Sequence, residues 1–305
     1  MVRALSRSVT APRQIVAGAV YLVTRRCAQR QFLLRPSRAT NQLFLYVLAL
    51  AAQRFGIQVH AFCVLSNHVH LILSDPHALL PAFHQLLAAL VARAVNASLG
   101  RWETFWAPGS YSAVRLLSPA DVVDKTAYAL ANPVAAGLVA AGSAWAGLWS
   151  APERVGGDEY VVKRPPHFFD PKGGLPEELT LRLTTPPGFD SPKQFRDQLD
   201  RALEVREDEA RAQRRGRGGF LGVARVLSQK PTARPAPGEP RRTLNPRVAG
   251  RDKWKRIEAL GRLVDFLRSY RTAWKARQAG DRDVVFPHGT YLLRVLHGVP
   301  CAGAG

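Results

Sequence analysis

Two hydrophobic rhythms alternate through the first half of the chain. Residues 14–27, "QIVAGAVYLVTRRC", carry a β-branched run and predict a strand. Residues 38–55, "RATNQLFLYVLALAAQRF", lack Gly and Pro and space their apolar side chains as a helix does, with Gly56 as its stop. "IQVHAFCVLS" and "HVHLILS" follow as two strands joined through Ser66 and Asn67, a hairpin. A second apolar helix is predicted over 81–99, closed by Gly100, and a fourth strand over 111–118. In "SPADVVDKTAYALAN" Ser118 is an N-cap and Pro119 the first helical residue, so a third helix starts there and Pro133 ends it. The order β-α-β-β-α-β with a trailing helix predicts a ferredoxin-like α+β domain. Its β2–β3 hairpin is expected at the centre of an antiparallel sheet, with the last helix across one face.

Past residue 150 the texture changes. Residues 151–192 are rich in Pro and Gly and are expected to be an irregular connection wrapping the first domain. Residues 193–215 predict a helix with Phe195, Leu199 and Leu203 on one side, running into "RAQRRGRGG", a basic Arg/Gly patch. Residues 230–247 read as a mobile, Pro-rich basic linker. Residues 252–278 predict a long helix whose stripe is Trp254, Ile257, Leu260, Val264, Leu267 and Trp274. Residues 282–299 are expected to form a β or turn unit packed on an apolar surface. The expected organisation is therefore a domain over 14–150, a connection over 151–192, and a basic, mostly helical and irregular extension over 193–305.

Composition narrows the partners. A hydrophobic content of 47% supports a sizeable core. Against it stand 43 Lys+Arg and 23 Asp+Glu, a net charge of +20. Such a balance points to a polyanion, nucleic acid first and an anionic membrane second, unless the arginines only reflect coding bias. Cys27, Cys63 and Cys301 are too far apart and too few for a disulfide framework or a zinc ribbon. No run reaches the roughly 18 apolar residues of a membrane span, and the N-terminus has no signal-peptide core. The expectation is an intracellular, soluble protein.

The candidate chemistry sits in "CVLSNHVHLILS", residues 63–74. Positions i and i+2 of a strand share a face, so His68 and His70 project side by side while Val69 points away. Two parallel imidazoles can hold one divalent cation, or they can be a hydrogen-bonded pair on a half-buried strand. On the third helix Tyr128 and Asn132 are four residues apart and share a face. They offer a phenol and a neutral amide oxygen. Mixed N/O ligation of this kind suits Mg or Mn and leaves positions for phosphate oxygens, without excluding Zn. The bland alternatives are a half-buried helix tyrosine and, beside Pro133, a helix-terminating Asn132. A zinc hydrolase fits poorly, because H-E-x-x-H is absent and Asp75 is the only carboxylate near the histidines. His60, His77 and His84 read as packing or surface residues.

"SNHVHLIL" followed by "YALANPVAAGLV" resembles the single-tyrosine HUH transposases, in particular the REP-associated tyrosine transposase branch related to short insertion-sequence enzymes. "FWAPGSYSAVRLLS" and "RQFLLRPS" add to the resemblance, which spans residues 14–150. It implies that His68 and His70 are metal ligands, Asn132 a third ligand and Tyr128 the nucleophile. The implied reaction is metal-assisted cleavage of single-stranded DNA beside a hairpin, through a 5′-phosphotyrosine intermediate. Insertion-sequence relatives act as homodimers and the REP-associated branch as monomers, so either state is compatible. The second half of the chain departs from the compact members of the family.

Arg25, Arg26, Arg30 and Arg35 are candidates for phosphate contacts. So are Arg214, Arg215 and Arg217 in the Arg/Gly patch, and Lys253, Lys255 and Arg256 on the long helix. Trp102, Phe105, Trp106 and Tyr111 are either base-stacking aromatics or core. Two further readings stay open: a non-cleaving DNA- or RNA-binding protein derived from the same fold, and an RNA-processing nuclease.

Overall fold

The computed structural model describes residues 12–109, 111–166, 168–216, 218–236 and 246–303. Strand β1 (Ala19–Arg26) leads to helix α1 (Arg38–Phe55), then to strands β2 (Gln58–Leu65) and β3 (His68–Asp75). Helix α2 (Leu80–Ser98), strand β4 (Ser112–Leu116) and helix α3 (Pro119–Leu130) complete the ferredoxin-like order, with a single turn α4 (Asn132–Ala135) after it. The expected α+β fold is therefore present. Local signals set its boundaries. Ser37 Oγ accepts from Thr40 N to start α1, and Gly56 ends it at φ 64°, in the left-handed region where a side chain is strained. Ser118 Oγ accepts from the Asp121 amide at the start of α3.

The sheet order is β2-β3-β1-β4-β7, where β7 is Val248–Ala249. The four long strands are antiparallel, and β7 adds two residues parallel to β4. This corrects one expectation: the β2–β3 hairpin is not central. Strands β1 and β3 are central, and β2 lies at the edge. Its backbone is covered instead of exposed. Val64 N donates to Leu148 O, Ser150 N to Phe62 O, and Thr184 N to Val59 O. One face of the sheet carries Val23, Val69 and Leu71, against Phe44 of α1 and Leu87 of α2. The other face, bearing Thr24, His68 and His70, is crossed by α3.

Residues 151–192 are more ordered than their composition suggests. Strands β5 (Tyr160–Lys163) and β6 (Glu178–Leu181) pair antiparallel against α1, where Gln53 Nε2 donates to Thr180 O. Helix α5 (Pro192–Arg214) buries Phe195, Leu199 and Leu203 as the spacing predicts, and packs along α3. A short helix α6 (Val223–Ser228) follows. The linker expected over 230–247 begins docked. Phe32 N donates to Ala233 O, and Arg35 Nη1 donates to the carbonyls of Leu227 and Gln229. Its residues 237–245 lie outside the described residues.

Helix α7 (Lys253–Gln278) turns a different face inward from the one predicted. Ala259, Phe266 and Ala273 are buried, while Trp254, Ile257, Leu260, Val264 and Trp274 are exposed. The buried positions recur every seven residues, with Phe266 between two small alanines, a face that a ranking by hydrophobicity does not favour. Phe286, Leu293 of helix α8 (Leu292–His297) and Val299 complete a small satellite core with Ala273. That unit is tied to the main body by Ile15 N to Gly289 O. Cys27, Cys63 and Cys301 are free thiols, and no described helix is long and apolar enough to cross a membrane.

Candidate active site

His68 and His70 stand side by side on β3 as the strand period requires, with ring centroids 4.8 Å apart and planes nearly perpendicular. His70 is 3% exposed and His68 half-buried. Each ring is fixed through Nδ1. Thr24 Oγ1, directly across from His70 on β1, lies 2.9 Å from its Nδ1. Asn67 Oδ1 lies 2.6 Å from the Nδ1 of His68. Partners of this kind select the tautomer and leave Nε2 as the available nitrogen. Burial lowers the His68 pKa to about 4, helped by the Arg26 charge. Burial and the neighbouring His68 and Arg26 hold His70 well below the ordinary histidine range. Both rings are neutral at physiological pH, as a metal ligand must be.

Asn132 completes the cluster. The helix does not end cleanly at Pro133 as predicted. Ala131 keeps right-handed helical geometry and Asn132 opens the turn α4, so the side chain stays on the Tyr128 side. Asn132 Nδ2 lies 3.3 Å from His70 Nε2, and the same amide hydrogen-bonds His68. Rotating the amide by half a turn presents its oxygen at that point instead. Two Nε2 atoms and one amide oxygen fit a divalent cation with open positions. Among the described residues no group of three or more His, Cys, Asp or Glu side chains is placed to hold a metal. The three donors named here, two imidazoles and one amide, are themselves neutral.

Tyr128 projects from α3 toward the same place. Its ring centroid is 5.6 Å from that of His70, edge-on, and the residue is 41% exposed. Arg206 Cζ lies 5.9 Å from the same ring centroid and Lys125 Nζ 6.0 Å. Both cations are tied to Asp124, one turn earlier on α3. Its Oδ1 accepts from Arg206 Nη2 and Arg251 Nη2 at 2.6 Å each, and its Oδ2 lies 2.9 Å from Lys125 Nζ. Burial alone would raise the Asp124 pKa, but hydrogen bonds from Lys125, Arg206 and Arg251 hold it well below the usual carboxylate range. Sequence reasoning missed Thr24, Asn67, Asp124, Arg206 and Arg251. Asn67 carries a signal, since it is adjacent to His68, whereas Thr24 comes opposite His70 only through the β1–β3 pairing. The last two become neighbours of α3 only through tertiary packing.

The candidate DNA contacts are dispersed. Arg26 is exposed and pairs in register with His68, at the rim of the cluster. Arg30 is exposed near His68. Arg25 is half-buried and donates to Gly109 O, while Arg35 is engaged by the carbonyls of residues 227 and 229. Arg214 packs on Gly137, Arg215 is exposed, and Arg217 lies outside the described residues. Lys253, Lys255 and Arg256 are exposed at the start of α7. Of the aromatics, Phe105 and Tyr111 are buried, Trp106 donates to Ala88 O, and Trp102 is 97% exposed.

The remaining buried histidines make stability acid-sensitive. His60 is held by Thr184 O and Ser74 Oγ, and burial lowers its pKa to about 4. His84 stacks on Tyr111, and burial together with Arg25 and Arg13 lowers its pKa to about 3. In the unfolded chain both take up protons near pH 6.5. Stability is thus whole above that pH and falls as the pH drops toward the folded values. The slope is about 1.4 kcal/mol per pH unit for each group, or about 4 kcal/mol for the pair at pH 5. Thermal melts by circular dichroism at stepped pH should show Tm falling steadily between pH 7 and 5. A flat Tm over that interval would contradict the assignment.

No family model matches the sequence, and no curated protein matches it. Among solved structures, the chain is similar to a REP-associated tyrosine transposase bound to a REP hairpin, at 18% identity and a TM-score of 0.38. That likeness covers 45% of this chain and 79% of the other. A candidate transposase from Deinococcus radiodurans R1 is similar at 20% identity and a TM-score of 0.27, over 35% of this chain and 85% of its own. Both likenesses are distant.

Proposed function

We propose that the protein is a transposase-type DNA strand transferase that cleaves single-stranded DNA beside a hairpin. The observation that carries this reading is the convergence of Tyr128 and Asn132 on His70 across the sheet, with the Tyr128 ring 5.6 Å and the Asn132 amide 3.3 Å away. In this reading His68, His70 and Asn132 hold Mg or Mn. When bound, the cation supplies Lewis-acid stabilisation and orientation of the phosphoryl group.

The Tyr128 phenolic oxygen forms a bond to phosphorus and the bond to the 3′ oxygen breaks, leaving a 5′-phosphotyrosine and a free 3′-hydroxyl. The phenol proton leaves to water and the 3′ oxygen takes one up. Because the phosphodiester energy is kept in the protein–DNA bond, the 3′-hydroxyl of another strand can reverse the step and join. All four side chains come from one chain, so a monomer carries the whole set. The net charge of +20 supplies the attraction for DNA.

Incubation with a 3′-labelled single-stranded hairpin oligonucleotide and Mn tests this, because the 5′-phosphotyrosine retains the fragment on the 3′ side of the cleaved bond. The expected product is a denaturant-resistant protein–DNA adduct whose phosphate maps to Tyr128 by peptide mass spectrometry. Binding without any adduct would favour the non-cleaving module, and cleaved strands without covalent protein would favour a hydrolytic nuclease.

A further inference from the structure

Helix α5 belongs to the half of the chain that no motif explains, yet it delivers a guanidinium to the candidate nucleophile. Resting on the reading of Tyr128 above, we propose that Arg206, with Lys125, grips the DNA backbone phosphate that flanks the one Tyr128 attacks.

Charge is the first reason. The single carboxylate of Asp124 is shared by Arg206, Arg251 and Lys125, so the cluster keeps a surplus of positive charge. Position is the second. Arg206 and Lys125 lie within cation–π range of the Tyr128 ring. Lys125 precedes Tyr128 on α3 and Asn132 follows it. The cations therefore sit toward the helix start and the imidazole pair toward its end, with the phenol between. A strand laid across the ring puts one phosphate over the histidines and its neighbour over the cations.

Access and rigidity agree with this. The Arg206 and Lys125 side chains are 29% and 32% exposed. Arg206 borders an open groove of about 500 Å³ between α3 and α5, whose other charged lining is Asp124, Arg201, Glu209 and Arg251, in all three guanidiniums against two carboxylates. The next residue, Glu207, pins α5 to the site helix's own loop by accepting from Gly142 N at 2.8 Å. A Cβ at Gly142 would meet that carboxylate at 2.9 Å and Leu130 O at 3.0 Å, so the approach needs glycine. Asp124 acts here as a positioning residue. Its hydrogen bond to Nη2 orients the Arg206 fork and leaves the arginine's remaining donors for phosphate.

The test crosses protein variants with DNA charge. Single-turnover adduct formation is measured for wild type, R206Q and R206K on a hairpin substrate and on copies carrying one neutral methylphosphonate at each position flanking the cleaved bond. R206Q is expected to slow adduct formation about 10- to 100-fold, with R206K recovering part of the loss. At one flanking position the methylphosphonate should slow wild type comparably and slow R206Q hardly further. A wild-type rate in R206Q, or penalties that multiply at every position, would overturn the proposal. If R206Q does not fold, R206K on the same substrates gives the same crossed comparison. If wild type forms no adduct at all, the strand-transfer reading fails on its own. The scan read as equilibrium binding then still decides whether Arg206 meets a phosphate.

Discussion

Tyr128→Phe is expected to reduce covalent adduct formation by roughly 10³-fold or more, the scale on which removal of a nucleophile is felt. Nothing else about the protein should change much. The ring is 41% exposed and its contacts with His70 and the flanking cations are made by the aromatic face and edge, which phenylalanine retains. Hairpin affinity and Tm should therefore stay close to wild type, since surface substitutions of this kind shift stability by about 0.5 kcal/mol or less. Electrophoretic mobility shifts and a denaturing gel on the same samples separate the two outcomes. Cleavage that survives in Tyr128→Phe would mean that water or another side chain attacks the phosphate, and the phenol would be only a neighbour of the imidazoles.

The distribution of what the sequence made legible follows from the range of each signal. Helix α1 was readable because its signals are local: an unbroken helical spacing without Gly or Pro, and a glycine stop that the structure places in the left-handed region. The Ser37 cap shows only in the structure. The histidine pair and the Tyr128–Asn132 pair were readable because a strand repeats every two residues and a helix nearly every four. The strand order was not, since hairpin formation by β2 and β3 says nothing about which of them meets β1. That choice is made by two helices packing on one face and by segments near Leu148 and Thr184 covering the β2 edge. Arg206 was invisible for the same reason. In α5 it is one charge among many, and only burial of Phe195, Leu199 and Leu203 brings it beside Tyr128. The α7 stripe misled because hydrophobicity ranks Trp254 and Ile257 above Ala259 and Ala273, whereas packing buries those two alanines with Phe266 between them.

His68→Ala should remove the response to metal with little cost to the fold. Between the two histidines it is the better probe, because His70 is 3% exposed and its loss would strand Thr24 Oγ1 and open a cavity, whereas His68 is half-buried at the strand start. Loss of one of three donors should lower Mn-dependent adduct formation at least about 10²-fold. The neutral character of the set adds a second expectation. Two imidazoles and an amide contribute no negative charge, and the cation Arg26 already depresses both histidines. A bound divalent ion is then left with its charge uncompensated until a DNA phosphate arrives. Mn affinity should accordingly be weak for the protein alone and tighten when hairpin DNA is present. By linkage the hairpin should bind more tightly in Mn by the same factor. Titration of Mn followed by its electron paramagnetic resonance signal, with and without hairpin, measures that factor in wild type. In His68→Ala it should collapse toward one. Equal Mn affinity in the two proteins would show that the imidazole pair does not hold the ion, whatever the strand-transfer activity proves to be.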